Sequence, residues 1–403
     1  MDNLQFFKEE KFLLEGLFKD KTQEVKREIF NQLEESNIII LYGLRGTGKT
    51  TLLAQKYLEI KDNKLAMHGE HLNIAGYSIK DLIPIQKHFF RKGYLFIDEI
   101  TKLKNWDEEL KIFSDMYPKI KIIVTGSSAV NLQEARRTLA RRAVLINIKP
   151  LTFNEFLRIK YNKKILKFDF DSEDILTNAL KIELDAREKL EDINKIVSEY
   201  KEMNIPYLLE KPKSTLLDLL ERIIYEDIGG IGSFTEEVLN KFWPLLKILA
   251  LSEKISYNNL SNDLELGKGT VIKMLNYLEK ANLIKTIYIY TSGKAKIRKE
   301  PRYLFTSPTI RTVLLELLGE KEKAVGLSRE DLFAMHLEKL FYLKTGPDFV
   351  WKNMLFEIGG PNKNSKQFKD IKFKGKKFII SDGLEIQKQE VFKLPFYIFL
   401  SHF

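Results

Sequence analysis

The chain has 403 residues, too many for one ordinary core, so several domains are expected. It contains no cysteine, which excludes disulfides, thiolate zinc sites and cysteine nucleophiles. Its 66 lysines and arginines against 56 acids give a net charge of +10, which fits a polyanionic partner such as nucleic acid, or else a surface rich in lysine and glutamate.

In chain order, Met1–Lys11 is charged and lacks a signal-peptide core. No apolar run approaches the ~20 residues that span a bilayer. A cytoplasmic protein with no membrane partner is expected. Thr22–Glu34 reads as a helix, and Asn37–Tyr42 (NIIILY) as a strand buried on both faces. A glycine-rich turn leads into a helix from Lys49. Lys64–His68 reads as a weaker strand, Ile79–Phe90 as a helix and Tyr94–Asp98 (YLFID) as a second strong strand. Trp106–Met116 is helical, and Ile120–Thr125 and Ala143–Ile148 are strands. Such alternation implies an α/β fold with a parallel sheet between helical layers, and ligands beyond the carboxyl ends of its strands.

The pattern turns helical after Pro150, at Phe153–Lys160, Ser172–Ile182, Leu190–Lys201 and Leu216–Tyr225. Next come helices at Phe242–Leu251, Ser256–Leu264 and Lys268–Lys280, alternation at Ile284–Tyr290, a basic run from Gly293 to Lys299 and a returning strand at Tyr303–Thr306. Three helices and a hairpin with a basic tip have the layout of a winged helix-turn-helix. Ile310–Gly319 and Arg329–Lys344 read as helices, then Met354–Ile358, Ile371–Phe373, Lys377–Ser381 and Phe396–Leu400 as strands of a small α+β domain. The expected division is a core at 1–150, a helical lid or connector at 151–240, a winged helix at 241–308 and a C-terminal domain at 309–403.

Gly43-Leu44-Arg45-Gly46-Thr47-Gly48-Lys49-Thr50, followed by Thr51, fits G-x-x-x-x-G-K-[ST] and lies between a buried strand and a helix. Glycines let backbone N–H groups wrap phosphates, and the helix N-terminus adds a favourable dipole. Lys49 would reach the β- and γ-phosphates of ATP, and the Thr50 hydroxyl would ligate Mg²⁺. The second strong strand ends in Asp98 and Glu99. Asp98 would hold Mg²⁺ through its water shell, and Glu99 would orient or deprotonate the attacking water. Beyond the third strand, Thr125 or Ser127 would sense the γ-phosphate, unless Ser127 or Ser128 only caps a helix. Arg136, Arg137, Arg141 and Arg142 cluster next; one would stabilise transferring charge on a neighbouring subunit's ATP, or the group is a basic surface. His68 and His71 are close in sequence but lack an evident third ligand, and they read as solvated loop histidines.

These motifs, with Trp106, Thr125-Gly126-Ser127-Ser128-Ala129 and Pro150-Leu151-Thr152-Phe153-Asn154-Glu155-Phe156 following in order, resemble the archaeal-type predicted ATPases of the AAA+ superfamily, related to STAND signalling ATPases and origin-recognition initiators. The resemblance runs on through Asn204–Leu208, Tyr225–Ile228 and the winged helix. It implies an AAA+ core, a helical lid, a DNA-binding-type winged helix and a restriction-endonuclease-like C-terminal domain. Where the family has Leu-x-Gly-Arg, this chain has Leu139-Ala140-Arg141-Arg142. Arg142 matches the arginine and is the preferred finger. The nuclease acids would fall on Glu338, Asp348 and Glu357, with Lys363 in place of the missing motif lysine; without that lysine the domain reads rather as a degenerate structural or interaction module.

On the third helix of the winged unit, Lys268, Thr270, Lys273, Asn276 and Tyr277 would meet double-stranded DNA, with Lys294, Lys296, Arg298 and Lys299 at the wing tip. A winged helix can instead serve only as a packing module. The favoured function is an ATP hydrolase coupled to DNA. The alternatives are a STAND-like ATP-dependent signalling switch with a protein partner and no DNA, and an ATP-gated nuclease; a homo-oligomer is a further possible partner state.

Overall fold

Apolar runs with β-branched residues at consecutive positions can be buried on both faces only if helices cover both sides of a sheet. In the computed structural model of the chain, which describes residues 3–20, 25–34, 36–61, 63–126, 137–252, 255–291, 300–369, 371–388 and 390–403, this is what the first part forms. The chain divides into two units, Met1–Ile148 and Lys149–Phe403.

The first unit is an α/β fold built on a parallel sheet of β1 (Ile38–Tyr42), β2 (Lys64–His68), β3 (Gly93–Asp98), β4 (Ile120–Gly126) and β5 (Ala143–Asn147), in the order β2-β3-β4-β1-β5. The period of two decides the layers. Ile38, Ile40, Leu65, Met67, Leu95, Ile97, Ile122 and Val124 enter one core. The intervening Ile39, Leu41, Ala66, Phe96 and Ile123 enter the other. Helix α1 (Asn3–Asp20) gives Phe7 to the first core and Leu14 and Phe18 to the second. Helices α2 (Lys49–Glu59), α3 (Gly69–Ile74) and α4 (Trp106–Met116) follow their strands.

Two helices expected here are otherwise. Glu28–Glu34 is a 3₁₀ helix in the segment read as Thr22–Glu34. Ile79–Phe90 breaks into 3₁₀ turns at Ile79–Leu82 and Gln86–His88 around Pro84, which cannot donate within a helix. In the Leu139–Arg142 turn, Arg141 adopts φ +69°, the left-handed conformation that a glycine takes without a Cβ clash.

The second unit holds an eight-stranded mixed sheet in the order β12-β13-β11-β10-β9-β8-β6-β7. Its strands are β6 (Ile284–Ile289), β7 (Arg302–Phe305), β8 (Phe341–Tyr342), β9 (Phe349–Trp351), β10 (Met354–Gly359), β11 (Lys376–Ser381), β12 (Gln387–Lys388) and β13 (Phe392–Pro395). The β6–β7 hairpin follows helices Phe242–Leu251, Tyr257–Leu264 and Lys268–Lys280, and β6 continues into the sheet by parallel pairing with β8. Helices Phe153–Tyr161, Ile175–Lys189 and Ile193–Met203 share a core with the C-terminal strands. Within it Phe170 makes edge contacts with Trp351, Phe356 and Phe378.

Three C-terminal expectations are corrected. The Arg329–Lys344 helix ends at Ala334, because Phe341 and Tyr342 pair with β6 and β9 instead. Ile371–Phe373 forms no strand. Phe396–Leu400 is a helix begun by Pro395. All five of its residues are buried, so no periodicity marks it.

One ion pair inside this unit is fully buried. Arg311 Nε meets Asp331 Oδ2 at 2.6 Å, and Nη1 meets the carbonyls of Leu249 and Ala250 at 3.0 and 2.9 Å. Asp331 also accepts from the Phe305 N–H at 2.8 Å. Removing one partner leaves a buried charge without its counterpart. Arg311→Met is expected to destabilise by roughly 3–5 kcal/mol, measured by denaturant unfolding. Arg141→Gly should stabilise the first unit by roughly 1 kcal/mol through relief of the left-handed turn.

Candidate active site

Parallel strands present their carboxyl ends together, and the site gathers at the ends of β1, β3 and β4. Because β4 lies between β1 and β3, Thr125 stands between the loop after β1 and the acids ending β3. The loop turns on three glycines with positive φ: Gly43 at 142°, Gly46 at 82° and Gly48 at 88°. At Gly43 a side chain would also collide with the chain, since a Cβ would lie 2.4 Å from the Ile148 carbonyl oxygen. Leu44 and Thr47 are buried, and the Thr47 hydroxyl donates to the Leu44 carbonyl at 2.8 Å. Arg45 and Thr51 are partly buried. Gly48 precedes α2, so Lys49 and Thr50 begin the helix.

Lys49 is 6% exposed. Its Nζ donates to the carbonyls of Gly43 and Leu44, each at 3.0 Å, which keeps the amine against the loop backbone. Thr50 Oγ1 donates to Asp98 Oδ1 at 3.0 Å. Thr125 Oγ1 donates to the same Oδ1. The Thr125 hydroxyl in turn accepts from the Glu99 N–H at 2.9 Å, so one hydroxyl ties both acids to β4. Glu99 has φ 52°, a left-handed conformation that costs energy outside glycine and recurs at functional sites. Its Oε2 is buried without a hydrogen-bond partner.

This donor set fits Mg²⁺. The convergent ligands are a hydroxyl and a carboxylate, the hard oxygens that Mg²⁺ prefers, and an orphaned buried carboxylate oxygen stands on the residue after Asp98.

Residues outside the motifs complete the site. Arg27 Nη1 donates to the Thr47 carbonyl at 2.9 Å, clamping the loop from the preceding segment. His68, at the end of β2, pairs in register with Asp98 and places Nε2 3.9 Å from Oδ2. Gly69 lets α3 approach Glu99, for a Cβ there would lie 2.3 Å from the Glu99 carbonyl oxygen. Only the histidine pair was visible in the sequence, and no motif spacing linked it to Asp98.

Ser127 and Arg136 lie outside the described residues. Arg142 is a surface residue whose Nε meets Asp115 Oδ1 at 3.0 Å. Among the candidate DNA-contacting residues, Lys268 is exposed and Thr270 partly buried on the Lys268–Lys280 helix. Lys273 donates to the Ser233 carbonyl at 2.8 Å and lies over the Phe234 ring. Tyr277 donates to Ser233 Oγ at 2.8 Å. Lys294, Lys296, Arg298 and Lys299 lie outside the described residues.

In the second unit, two of the three candidate nuclease acids come together. Glu357 on β10 is 1% exposed, and its Oε1 meets Lys363 Nζ at 2.5 Å. Asp348 Oδ2 accepts from the Ile358 N–H at 2.8 Å. Glu338 is elsewhere, paired with Lys149. Burial, and then the Asp348 carboxylate, push the Glu357 carboxyl up to about 7 against the pull of Lys363.

Residues 35–157 match the AAA domain family, and residues 187–321 match a domain of unknown function, DUF8612. The chain is 34% identical over 406 residues to the uncharacterized protein MJ1637 of Methanocaldococcus jannaschii, covering 91% of this chain and 84% of that one. It is 22% identical to an uncharacterized protein of Haemophilus influenzae, over 88% of this chain and 94% of the relative. Among solved structures it is similar to the Walker-type ATPase PABY2304 of Pyrococcus abyssi, with 17% identity, a TM-score of 0.43 and coverage of 72% and 95% of the two chains.

A group protonated more readily in the folded state stabilises the protein below its unfolded value of 4.5, and that contribution is lost as pH rises through about 7. Glu357→Gln should therefore gain stability relative to wild type across this range, by at most about 3 kcal/mol, in unfolding followed from acid to neutral pH.

Proposed function

The chain belongs to the family of the M. jannaschii protein MJ1637 and carries an AAA domain, and from that premise we propose that it binds ATP with Mg²⁺, hydrolyses the γ-phosphate and couples this cycle to duplex DNA. The observation that carries the reading is the 3.0 Å meeting of Thr50 and Asp98 beside the buried, unpaired oxygen of Glu99. The loop N–H groups and the α2 N-terminus bind the phosphates, and Lys49 turns its amine from the loop carbonyls to them. Thr50 and Asp98 would hold Mg²⁺, which when bound would neutralise charge on the nucleotide's phosphate oxygens. Glu99 accepts a hydrogen bond from the attacking water and holds it in line with the γ-phosphorus. Thr125 keeps both acids in place and reports on the γ-phosphate from β4.

The DNA part of the proposal is supported by the +10 net charge and by the three helices followed by the β6–β7 hairpin. Lys268, Thr270 and Lys273 on the third helix, with Lys294, Lys296 and Arg298 from the basic run, would supply phosphate and base-edge contacts. Arg142 would reach a neighbouring copy's ATP by leaving Asp115, an exchange that a solvent-exposed pair permits at little cost.

A second reading, an ATP-gated metal-dependent nuclease, is favoured by the meeting of Asp348, Glu357 and Lys363 at one end of β10. Two carboxylates would hold the metal and the ammonium would face the phosphate.

Turnover and DNA binding separate these readings. Lys49→Ala should abolish ATP binding, whereas Glu99→Gln should retain binding and lose hydrolysis by about 100-fold or more. Duplex DNA should raise wild-type turnover, and its affinity, followed by fluorescence anisotropy, should fall steeply with salt. Turnover indifferent to DNA would instead support a nucleotide switch with a protein partner. Metal-dependent cleavage of DNA, lost in Glu357→Ala, would support the nuclease.

A further inference from the structure

Helix α1 lies outside the matched AAA domain, yet one of its carboxylates is bound at the end of β2, the strand that pairs with β3 and places His68 in register with Asp98. Glu10 is 3% exposed, an unusual degree of burial for a glutamate. Its Oε1 accepts from the His68 backbone N–H at 2.9 Å. The same carboxylate meets His71 Nδ1 at 3.2 and 3.3 Å. The His68 and His71 rings face one another with centroids 4.6 Å apart. Glu10 thus fixes both the backbone and the aromatic neighbour of His68.

The orientation of His68 is fixed a second time. Its Nδ1 accepts a hydrogen bond from the Glu70 N–H at 3.2 Å. An imidazole that accepts at Nδ1 carries its proton at Nε2. The Nε2 atom lies 3.9 Å from Oδ2 of Asp98, longer than a direct hydrogen bond but close enough for electrostatic contact, while Oδ1 is taken by the Thr50 and Thr125 hydroxyls. The Asp98 carboxylate is therefore bracketed: two hydroxyls bond one oxygen, and the imidazole edge lies beside the other.

We propose that Glu10 and His68 are positioning residues for the divalent cation of the ATP site, holding the rotation of the Asp98 carboxylate from helix α1 through the end of β2. This rests on the reading of Thr50 and Asp98 as the cation's ligands. Partners that orient a ligand are commonly worth about 10- to 100-fold in metal affinity. The arrangement also makes α1 part of the nucleotide site: an event that lifts α1 withdraws Glu10, frees His68 and weakens the cation's hold.

The probe is Mn²⁺ binding in the presence of ATPγS, followed by electron paramagnetic resonance, with the Mg²⁺ dependence of ATP hydrolysis measured beside it. His68→Phe keeps the ring and removes the N–H; Glu10→Ala removes the acceptor. Each should weaken nucleotide-dependent Mn²⁺ binding by about tenfold or more. The Mg²⁺ concentration for half-maximal hydrolysis should rise correspondingly, with the rate at saturating Mg²⁺ little changed. His68→Gln, which keeps a donor at the ε position, and Glu10→Gln, which keeps the acceptor for the His68 N–H, should restore most of the affinity. A merely structural role would lower melting temperature and leave Mn²⁺ affinity in place. If the wild type binds Mn²⁺ with ATPγS and both disruptive variants match it, the positioning role is overturned while the ATP reading stands. If the wild type shows no nucleotide-dependent Mn²⁺ site, the ATP reading itself fails, and this role falls with it.

Discussion

The site depends on one topological constraint: β4 is inserted between the strand that feeds the phosphate loop and the strand that ends in the two acids. That placement puts a β4 side chain beside both acids. With it, the Thr125 hydroxyl donates to Asp98 and accepts from the Glu99 N–H, and Asp98 is shared with Thr50 at the start of α2. A buried carboxylate is tolerated where donors surround it. Asp98 meets that condition by using groups on β4 and α2, with the His68 imidazole facing its other oxygen.

The two units use buried charge differently. In the first, the buried polar groups converge at strand ends, where Lys49 is held by loop carbonyls and Glu99 keeps one oxygen unpaired. An incompletely satisfied set is costly to fold, and it leaves the groups available for a ligand. In the second, Arg311 and Asp331 satisfy each other and the ends of neighbouring elements, a closed network that fixes packing. Glu357 falls between these cases, paired on one oxygen with Lys363 and unpaired on the other.

The phosphate loop, the strands around it and the acids after β3 were legible because their signals are local. A continuous apolar strand, glycines at fixed offsets and a paired acid each follow from a few adjacent residues. Three-helix segments near Phe242–Lys280 were legible for the same reason: their apolar periodicity and turns are strong. What sequence could not supply was set by distant partners. Phe396–Leu400 reads as a strand by composition, but Pro395 begins a helix there and burial on all sides erases its period. Phe341 and Tyr342 leave a helical pattern only because β6 and β9 offer edges to pair with. Glu10 and Arg27 carry no motif; their meaning appears only when α1 and the segment before β1 are brought against β2 and the loop. Arg141 shows the converse: a residue departing from the resembled Leu-x-Gly-Arg pattern still adopts the left-handed turn, because the surrounding fold imposes it.

A single hydroxyl on β4 ties both acids of the site together, and Thr125 variants put that contact to the test. ATP hydrolysis should be compared in the wild type, Thr125→Ser and Thr125→Val, with ATP binding measured in each. The account predicts that Thr125→Ser retains most of its turnover, while Thr125→Val still binds ATP and hydrolyses it more slowly by about 10- to 100-fold. Wild-type turnover in Thr125→Val would contradict it, because Asp98 and Glu99 would then be placed without the contact on which the account rests.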